Sequence, residues 1–555
     1  MNMDGRPHDS LQSNAGATEA LSSTDFRVFR STGMKDLVIG LDAGTSVIKS
    51  VAFDLSGKQL AVNAIPNQYE NVSGGGAEQD MARTWRDAAA TLKGLSEQIP
   101  DIASRTAAVA VTGQGDGTWL VSATGEPVAP AWLWLDARAA AIVDEFNGTD
   151  NAGIRFANTG TGLAACQQGA QLLWMKQYAP ELIGASAAAM HCKDWLYLKL
   201  TGEFATDPSE ACFTFGNFRT REYSDDAIAA LGLTDCRRLL PSIVDGVEQN
   251  AVLSQQAAAL TGLLGGTPIV LGYVDVVCTA LGAGLYDPAS TPGCTIVGTT
   301  GIHMRLVDSA AKVVLNEART GFTMPLPVPD MYAQMQSNMS STMNIDWLLD
   351  VATDLVASLG VSHSRADLIP MLDGWVEQAV PAAMLYQPYV SEAGERGPFI
   401  DANARAGFTG ISTQHRFPDL MRAVFEGIAC AARDCYNAMG PMPTEVRITG
   451  GAARSQVLRT IIASTLNAST RTSTREEAGA AGAAMMATVA VGHYQHMDDC
   501  VGDWVNPLVG GLESPDPDLV EIYKHSFSDY VKTHKALRPV WHGMAQRRNE
   551  AGPEL

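Results

Sequence analysis

One local pattern occurs twice in this chain, and it restricts the possible folds more than any other feature. VIGLDAGTSVIKSVAFD (38–54) runs apolar strand, Gly-Thr-Ser turn, apolar strand, and CTIVGTTGIHMRL (294–306) repeats the design around a Gly-Thr-Thr-Gly turn. A strand–turn–strand unit near the start of each half predicts a duplicated architecture with a cleft between the copies. Length points the same way, because 555 residues exceed what one hydrophobic core usually supports, so two domains of about 250 residues are expected.

The flanking patterns define the fold class. After the first unit come a Ser56-Gly57-Lys58 turn and a third strand, LAVNAIP, which together predict a meander. A helical spacing of apolar residues follows over 81–99, then a buried strand in AAVAVTG (107–113). In the second half a long helix over 417–439 leads into the strand EVRITGG (445–451) and a further helix over 455–467. Hairpins and strand–helix alternation in one chain predict α/β domains with mixed sheets.

Charge and cysteine usage exclude several function classes. A net charge of −21 disfavours nonspecific binding to nucleic acid or to an anionic membrane. Nine scattered cysteines with no CxxC pair indicate neither a disulfide framework nor a zinc site, and they point to a reducing compartment. With no run of about 18 apolar residues and no signal-like start, a cytoplasmic protein is expected. Residues 1–34 are polar and lack apolar periodicity, as a disordered extension would.

Three Gly-rich turns carry the functional argument. In DAGTS, Gly44 leaves backbone N–H groups open to an anion, Thr45 and Ser46 add donors, Asp42 could hold a hydrated Mg²⁺ and Lys49 could neutralise phosphate. The GTTG turn supplies Gly298 and Thr299, and ITGGAARS (448–455) ends a strand on Gly450 and Gly451, where a flat nucleoside can approach the backbone. Each turn alone is equally an ordinary hairpin or strand-to-helix turn. Together they favour nucleotide binding. Asp275 interrupts the apolar stretch 270–284, where an acid is costly to bury without a partner or a role; it is a candidate base and also a candidate N-cap.

These elements resemble the FGGY carbohydrate kinases, which share the actin and hexokinase type of ATPase fold (ribonuclease H-like). The likeness runs from about residue 35 to about 537 through LDAGTSVIKSVAFD, GGGAEQDMARTW, VTGQGDGTWLV, WLWLDARA, CKDWLYLKLTGEFATDPSEA, GYVDVVCTALGAG, GTTG, GERGPFIDANARAGFTGISTQHRFPDLMRAVFEGIA and ITGGAARSQVLRTIIASTLN, in the family's order. It implies an N-terminal domain over 35–286 with the substrate site and phosphate loop, a C-terminal nucleotide domain over 287–537, a tail over 538–555, and an active site in the cleft. It also implies ATP-dependent phosphorylation of a sugar or polyol hydroxyl. By position, Asp275 matches the catalytic base. Asp42, Gly44, Thr45, Ser46 and Lys49 match the phosphate and Mg²⁺ loop, with Asp42 and Asp275 at the metal. Gly298 and Thr299 match the second phosphate contact, and Gly450, Gly451 and Ser455 the adenosine side. Positioning and charge neutralisation suffice for phosphoryl transfer, so this set is chemically adequate.

Substrate choice is expected at Gln114-Gly115-Asp116-Gly117, where glycerol kinases carry an Arg-Glu pair and xylulokinases a Met-His pair, and at Trp134, which matches an aromatic set against the carbon face of the substrate. As a side chain, Trp134 is equally a candidate for the core. Cys166, Gln167 and Gln168 stand where glycerol kinases place an aromatic, which argues against glycerol. The combination of QGDGTW with WLWLDARA looks most like the family's erythritol-phosphorylating members, with L-xylulose or a related ketose or pentitol as the alternative substrate. Asn338, Ser340, Ser341 and Thr342 replace a Gly/Ser-rich segment usual in relatives, so nucleotide affinity is expected to differ. A silent sugar sensor on the same fold is the reading from another class; retention of Asp42 and Asp275 opposes it. A homodimer is the expected assembly.

Overall fold

The computed structural model describes residues 35–551; the N-terminal extension expected over 1–34 lies outside the described residues. In the first half β1 (Leu37–Ala43), β2 (Val47–Asp54) and β3 (Gln59–Pro66) form the antiparallel meander. Helix α1 (Met81–Gly94), N-capped by the Asp80 carboxylate, leads to β4 (Thr106–Gly113), which returns parallel to β1. With β5 (Ala251–Val252) and β6 (Pro268–Leu271) these make a six-stranded sheet ordered β5-β6-β4-β1-β2-β3, and α2 (Asp275–Ala283) follows β6. Central β1 is an almost continuous apolar run buried on both faces, while edge strand β3 alternates buried and exposed residues.

The second half contains β7 (Gly293–Val297), β8 (Gly301–Val307), β9 (Phe322–Pro325) and β10 (Tyr332–Asn338). It continues with α3 (Thr342–Ser358), α4 (Phe417–Met439), β11 (Glu445–Thr449), α5 (Gln456–Leu466), β12 (Ser469–Thr472), α6 (Ala478–Ala490) and α7 (Pro517–Ala551). Its sheet is ordered β9-β10-β8-β7-β11-β12. In both sheets the opening strand is central, antiparallel to a meander on one side and parallel to crossover strands on the other. The duplication expected from the repeated strand–turn–strand unit is therefore present in the topology.

Each half has an apolar core of its own, and a further cluster is shared between them. Val38 and Val51 of the first sheet, Val277 and Leu281 of α2, Met304 of β8 and Met485 of α6 belong to one apolar cluster. Helix α6 is built of Ala, Gly and Met because it lies against α2 and β1 at backbone distance: a Cβ on Gly482 would strike the Cys278 carbonyl, and one on Gly40 the Ala480 carbonyl.

Helix α7 runs unbroken through Leu537 to Ala551 with Pro539 inside it, across the position where the tail is expected to begin. Trp541, on that continuation, is 4% exposed and packs edge-on to Tyr389 at 5.5 Å between ring centroids. The contact buries a large aromatic and holds the helix together past the proline.

Candidate active site

Strand register assembles the first side of the site. Pairing places Asp42, at the end of β1, beside Lys49 of β2 and Thr112 of β4. The following turn is pinned from outside: Asn67 donates from Nδ2 to the Gly44 carbonyl at 2.9 Å and from its backbone to the Ser46 carbonyl at 2.8 Å. Thr45 links this turn to the expected substrate residues. Its hydroxyl accepts from Trp134 Nε1 at 2.7 Å and donates to Gln114 Oε1 at 3.0 Å. Gln114 Nε2 in turn donates to Gln79 Oε1 at 3.0 Å. A polar chain thus joins the Gly44–Ser46 turn to Gln114 at the start of the Gln114–Gly117 turn.

Asp275 is the first residue of α2, not its N-cap; Val274 occupies that position and has no capping side chain. The approach to it is fixed by Thr112 Oγ1 donating to the Tyr273 carbonyl at 2.7 Å and by the Val274 N–H donating to Ser209 Oγ at 3.0 Å. Burial, reinforced by the like charge of Asp42, pushes the Asp275 carboxyl up to about 7. Burial raises Asp42 to about 6, with Lys49 opposing the shift and Glu477 adding to it. Two acids whose burial raises both, with Asp42 adding to the shift of Asp275, suit a divalent cation, and Mg²⁺ needs only one or two carboxylates besides water and phosphate. Gly479 of α6 makes room for Asp42, since a Cβ there would lie 2.7 Å from Oδ2.

A cavity of about 250 Å³ opens beside Asp275. From the first half it is lined by Thr45, Gln114, Gly115, Asp116, Trp134 and Asp275, so these sequence-predicted residues come together. Trp134 faces the cavity half-buried and is not a core residue. From the second half come an apolar wall of Ile302, Phe322, Met324 and Met335, together with Thr300, Ser337 and Arg396. Asp116 adopts left-handed backbone at φ +55°, and burial pushes its carboxyl up to about 6 against the pull of His191 and Arg396.

The other expected residues divide into two groups. The GTTG turn is held by the start of α3: Thr342 donates to the Gly298 carbonyl from both backbone and hydroxyl at 3.0 Å, and Ser341 N–H donates to the Thr299 carbonyl at 2.8 Å. Gly450, at φ +97°, lies against Val297, so the second and third Gly-rich turns are neighbours, and Gly451 borders open space. Two side chains are committed elsewhere. Lys49 is not free at the turn, because its Nζ sits 2.6 Å from Glu477 Oε2. Ser455 caps α5 through the Leu458 N–H at 3.0 Å and donates to Asp373 at 2.6 Å, so its hydroxyl serves the helix end. Sequence reasoning assigned no role to Arg396, Gly479 or Glu477. Arg396 lies within the quoted GERGPF stretch, whereas Gly479 was hidden in a run of small residues that reads as helix interior.

Among the described residues no helix is long and apolar enough to cross a membrane, and no group of three or more His, Cys, Asp or Glu is arranged around a common metal point.

Comparison with known proteins matches both halves. Residues 37–282 match the N-terminal domain, and residues 293–491 the C-terminal domain, of the FGGY family of carbohydrate kinases. The chain is 54% identical over 510 residues to erythritol kinase of Brucella abortus (strain 2308), covering 92% of this chain and 98% of that one. It is 26% identical to L-xylulose/3-keto-L-gulonate kinase of Escherichia coli (strain K12), over 90% of this chain and 97% of the relative. Among solved structures, a ligand-bound xylulose kinase from Lactobacillus acidophilus superposes with a TM-score of 0.82 at 22% identity, covering 92% of this chain and 99% of that one. The Plasmodium falciparum glycerol kinase with ADP superposes at 0.78 and 18% identity, covering 91% and 99%. With two mixed sheets of like topology and both family domains in order, the chain belongs to the FGGY family of carbohydrate kinases.

Proposed function

We propose that this carbohydrate kinase transfers the γ-phosphoryl group of ATP to a terminal hydroxyl of erythritol, giving erythritol 4-phosphate and ADP. The observation that carries the choice of substrate is the 54% identity, over nearly the full length of both chains, to a protein named erythritol kinase. A cavity of about 250 Å³, smaller than the roughly 300–1,000 Å³ of drug-sized sites, supports a short acceptor.

In this reading Asp275 accepts the proton of the attacking hydroxyl as its oxygen bonds to the γ-phosphorus, and the bond from that phosphorus to ADP breaks. Asp42 and Asp275 would hold Mg²⁺, which supplies charge neutralisation at the phosphates. The Gly44–Ser46 turn and the Gly298–Thr299 turn take the phosphates, and Gly450 and Gly451 form the nucleoside floor. Ser455 supports that floor as the cap of α5. Trp134 lies against substrate carbon, and Gln114 fixes Thr45.

Coupled ADP release with a panel of erythritol, glycerol, ribitol, xylitol, L-xylulose and D-xylulose tests this. Erythritol should give the highest kcat/KM; a higher value for a ketose or pentitol would replace it as substrate, and no turnover with any would favour a sugar sensor. A homodimer is the assembly proposed with this reading, and sedimentation velocity checks it.

A further inference from the structure

The loop Gly394–Phe399 crosses from the second half to the substrate cavity and is held firmly at its base. Glu395 Oε1 accepts the backbone N–H groups of Met339 at 2.9 Å and Arg396 at 2.8 Å. Asn338 Nδ2 donates to the Gly397 carbonyl at 2.7 Å, and Thr320 Oγ1 to the Pro398 carbonyl at 2.9 Å. This backbone leaves one side chain uncommitted. Arg396 lines the cavity as its only Lys or Arg, its Nε is buried without a partner, and its guanidinium makes no hydrogen bond or ion pair among the described residues.

Asp116 faces the same cavity from the first half. Its Oδ1 is buried and unpartnered, and Oδ2 receives only a thiol contact from Cys166 at 3.7 Å. The two charges are within electrostatic reach of each other and do not close into a salt bridge. Leaving a buried donor and a buried acceptor unsatisfied is unfavourable, so a ligand that partners both is stabilised between them. A hydroxyl suits the gap, since it donates to the carboxylate and accepts from the guanidinium. The apolar wall of Ile302, Phe322, Met324 and Met335 meets carbon and offers no competing polar partner.

We infer that Arg396 is a substrate-binding and specificity-determining residue, which together with Asp116 grips across the cavity the acceptor hydroxyls not handed to Asp275. This rests on the reading that the acceptor polyol occupies this cavity. An acceptor lacking such a hydroxyl would strand both groups, which is the kind of penalty that separates closely related substrates.

The test uses full-length R396Q, R396K, D116N and the D116N/R396Q double variant, assayed with whichever polyol the wild type turns over. R396Q should raise the polyol KM by roughly tenfold to a hundredfold, with the ATP KM and the melting temperature little changed. R396K, which keeps the charge but loses the planar fork, should fall between R396Q and wild type. The double variant should lose less than the product of the single losses, because both residues hold the same ligand. Preference for the native polyol over glycerol should flatten in R396Q. An unchanged polyol KM and an unchanged preference in R396Q would overturn the inference. So would a rise in ATP KM matching the rise in polyol KM, which marks a merely structural loop residue. If R396Q does not fold, R396K decides by the same two readouts. Turnover of a polyol other than erythritol by the wild type defeats only the substrate choice, and the Arg396 test proceeds with that polyol.

Discussion

In the proposed reaction Asp275 is the residue on which the chemistry depends. General-base removal costs typically 10²- to 10⁴-fold, so Asp275→Asn should lower kcat by about that range while ATP still binds, as calorimetry would show; turnover near wild type would refute the assignment. The pH dependence follows from the direction of its shift. Burial and Asp42 raise the carboxyl to about 7, so the proton stays on until the pH passes that value and the base is charged only above it. kcat/KM for the polyol should therefore fall as pH drops through about 7, and a profile flat down to pH 5 would contradict this. Gly479 gives a third check. Gly479→Ala places a methyl 2.7 Å from Asp42 Oδ2, within the helix that supports it, and should cost up to about a hundredfold in kcat with little change in polyol KM. Unaltered kinetics would show that Asp42 can shift freely.

At the level of elements, the sequence was most readable where one period dominates. The strands now labelled β1, β2 and β3 and helix α4 over Phe417–Met439 coincide with their apolar patterns, because each buries a face that only one secondary structure can present. Asp275 stood out because a carboxylate in an apolar stretch is conspicuous in one dimension, whereas Gln114, Asp116 and Trp134 were found through the family resemblance. Arg396 did not stand out, since its significance lies in what faces it from a turn about half the chain away, and neither did the commitments of Lys49 and Ser455, whose partners Glu477 and Asp373 are remote in sequence. Helix α7 was not read from the sequence; it continues past Pro539, a residue that normally stops a helix, where Trp541 is buried. That helix also braces the Arg396 loop: Phe399 stacks on His534 at 4.9 Å, and His542 Nε2 lies 3.1 Å from Asp401 Oδ2. Trp541→Ala should therefore cost about 3 kcal/mol in chemical denaturation and raise the polyol KM as well. A stability loss with an unaffected KM would separate the brace from the site.

For the whole molecule, the cavity is lined by polar and apolar residues of both halves, so ligands that bridge them favour approach of the halves. Small-angle scattering should record a smaller radius of gyration with erythritol and a nonhydrolysable ATP analogue than without; equal radii would mean that the site is already assembled. Such movement has to be accommodated around the cluster shared by α2, α6 and both sheets, which gives the halves a common interior. That shared interior has a genetic consequence. A gene divided between codons 286 and 287 would leave α2 exposed on one product and α6 on the other, so neither fragment should be recovered in soluble form when expressed singly. Produced in the same cell, the two fragments carry complementary surfaces, and restoration of kinase activity only on co-expression would make this fold usable as a split reporter.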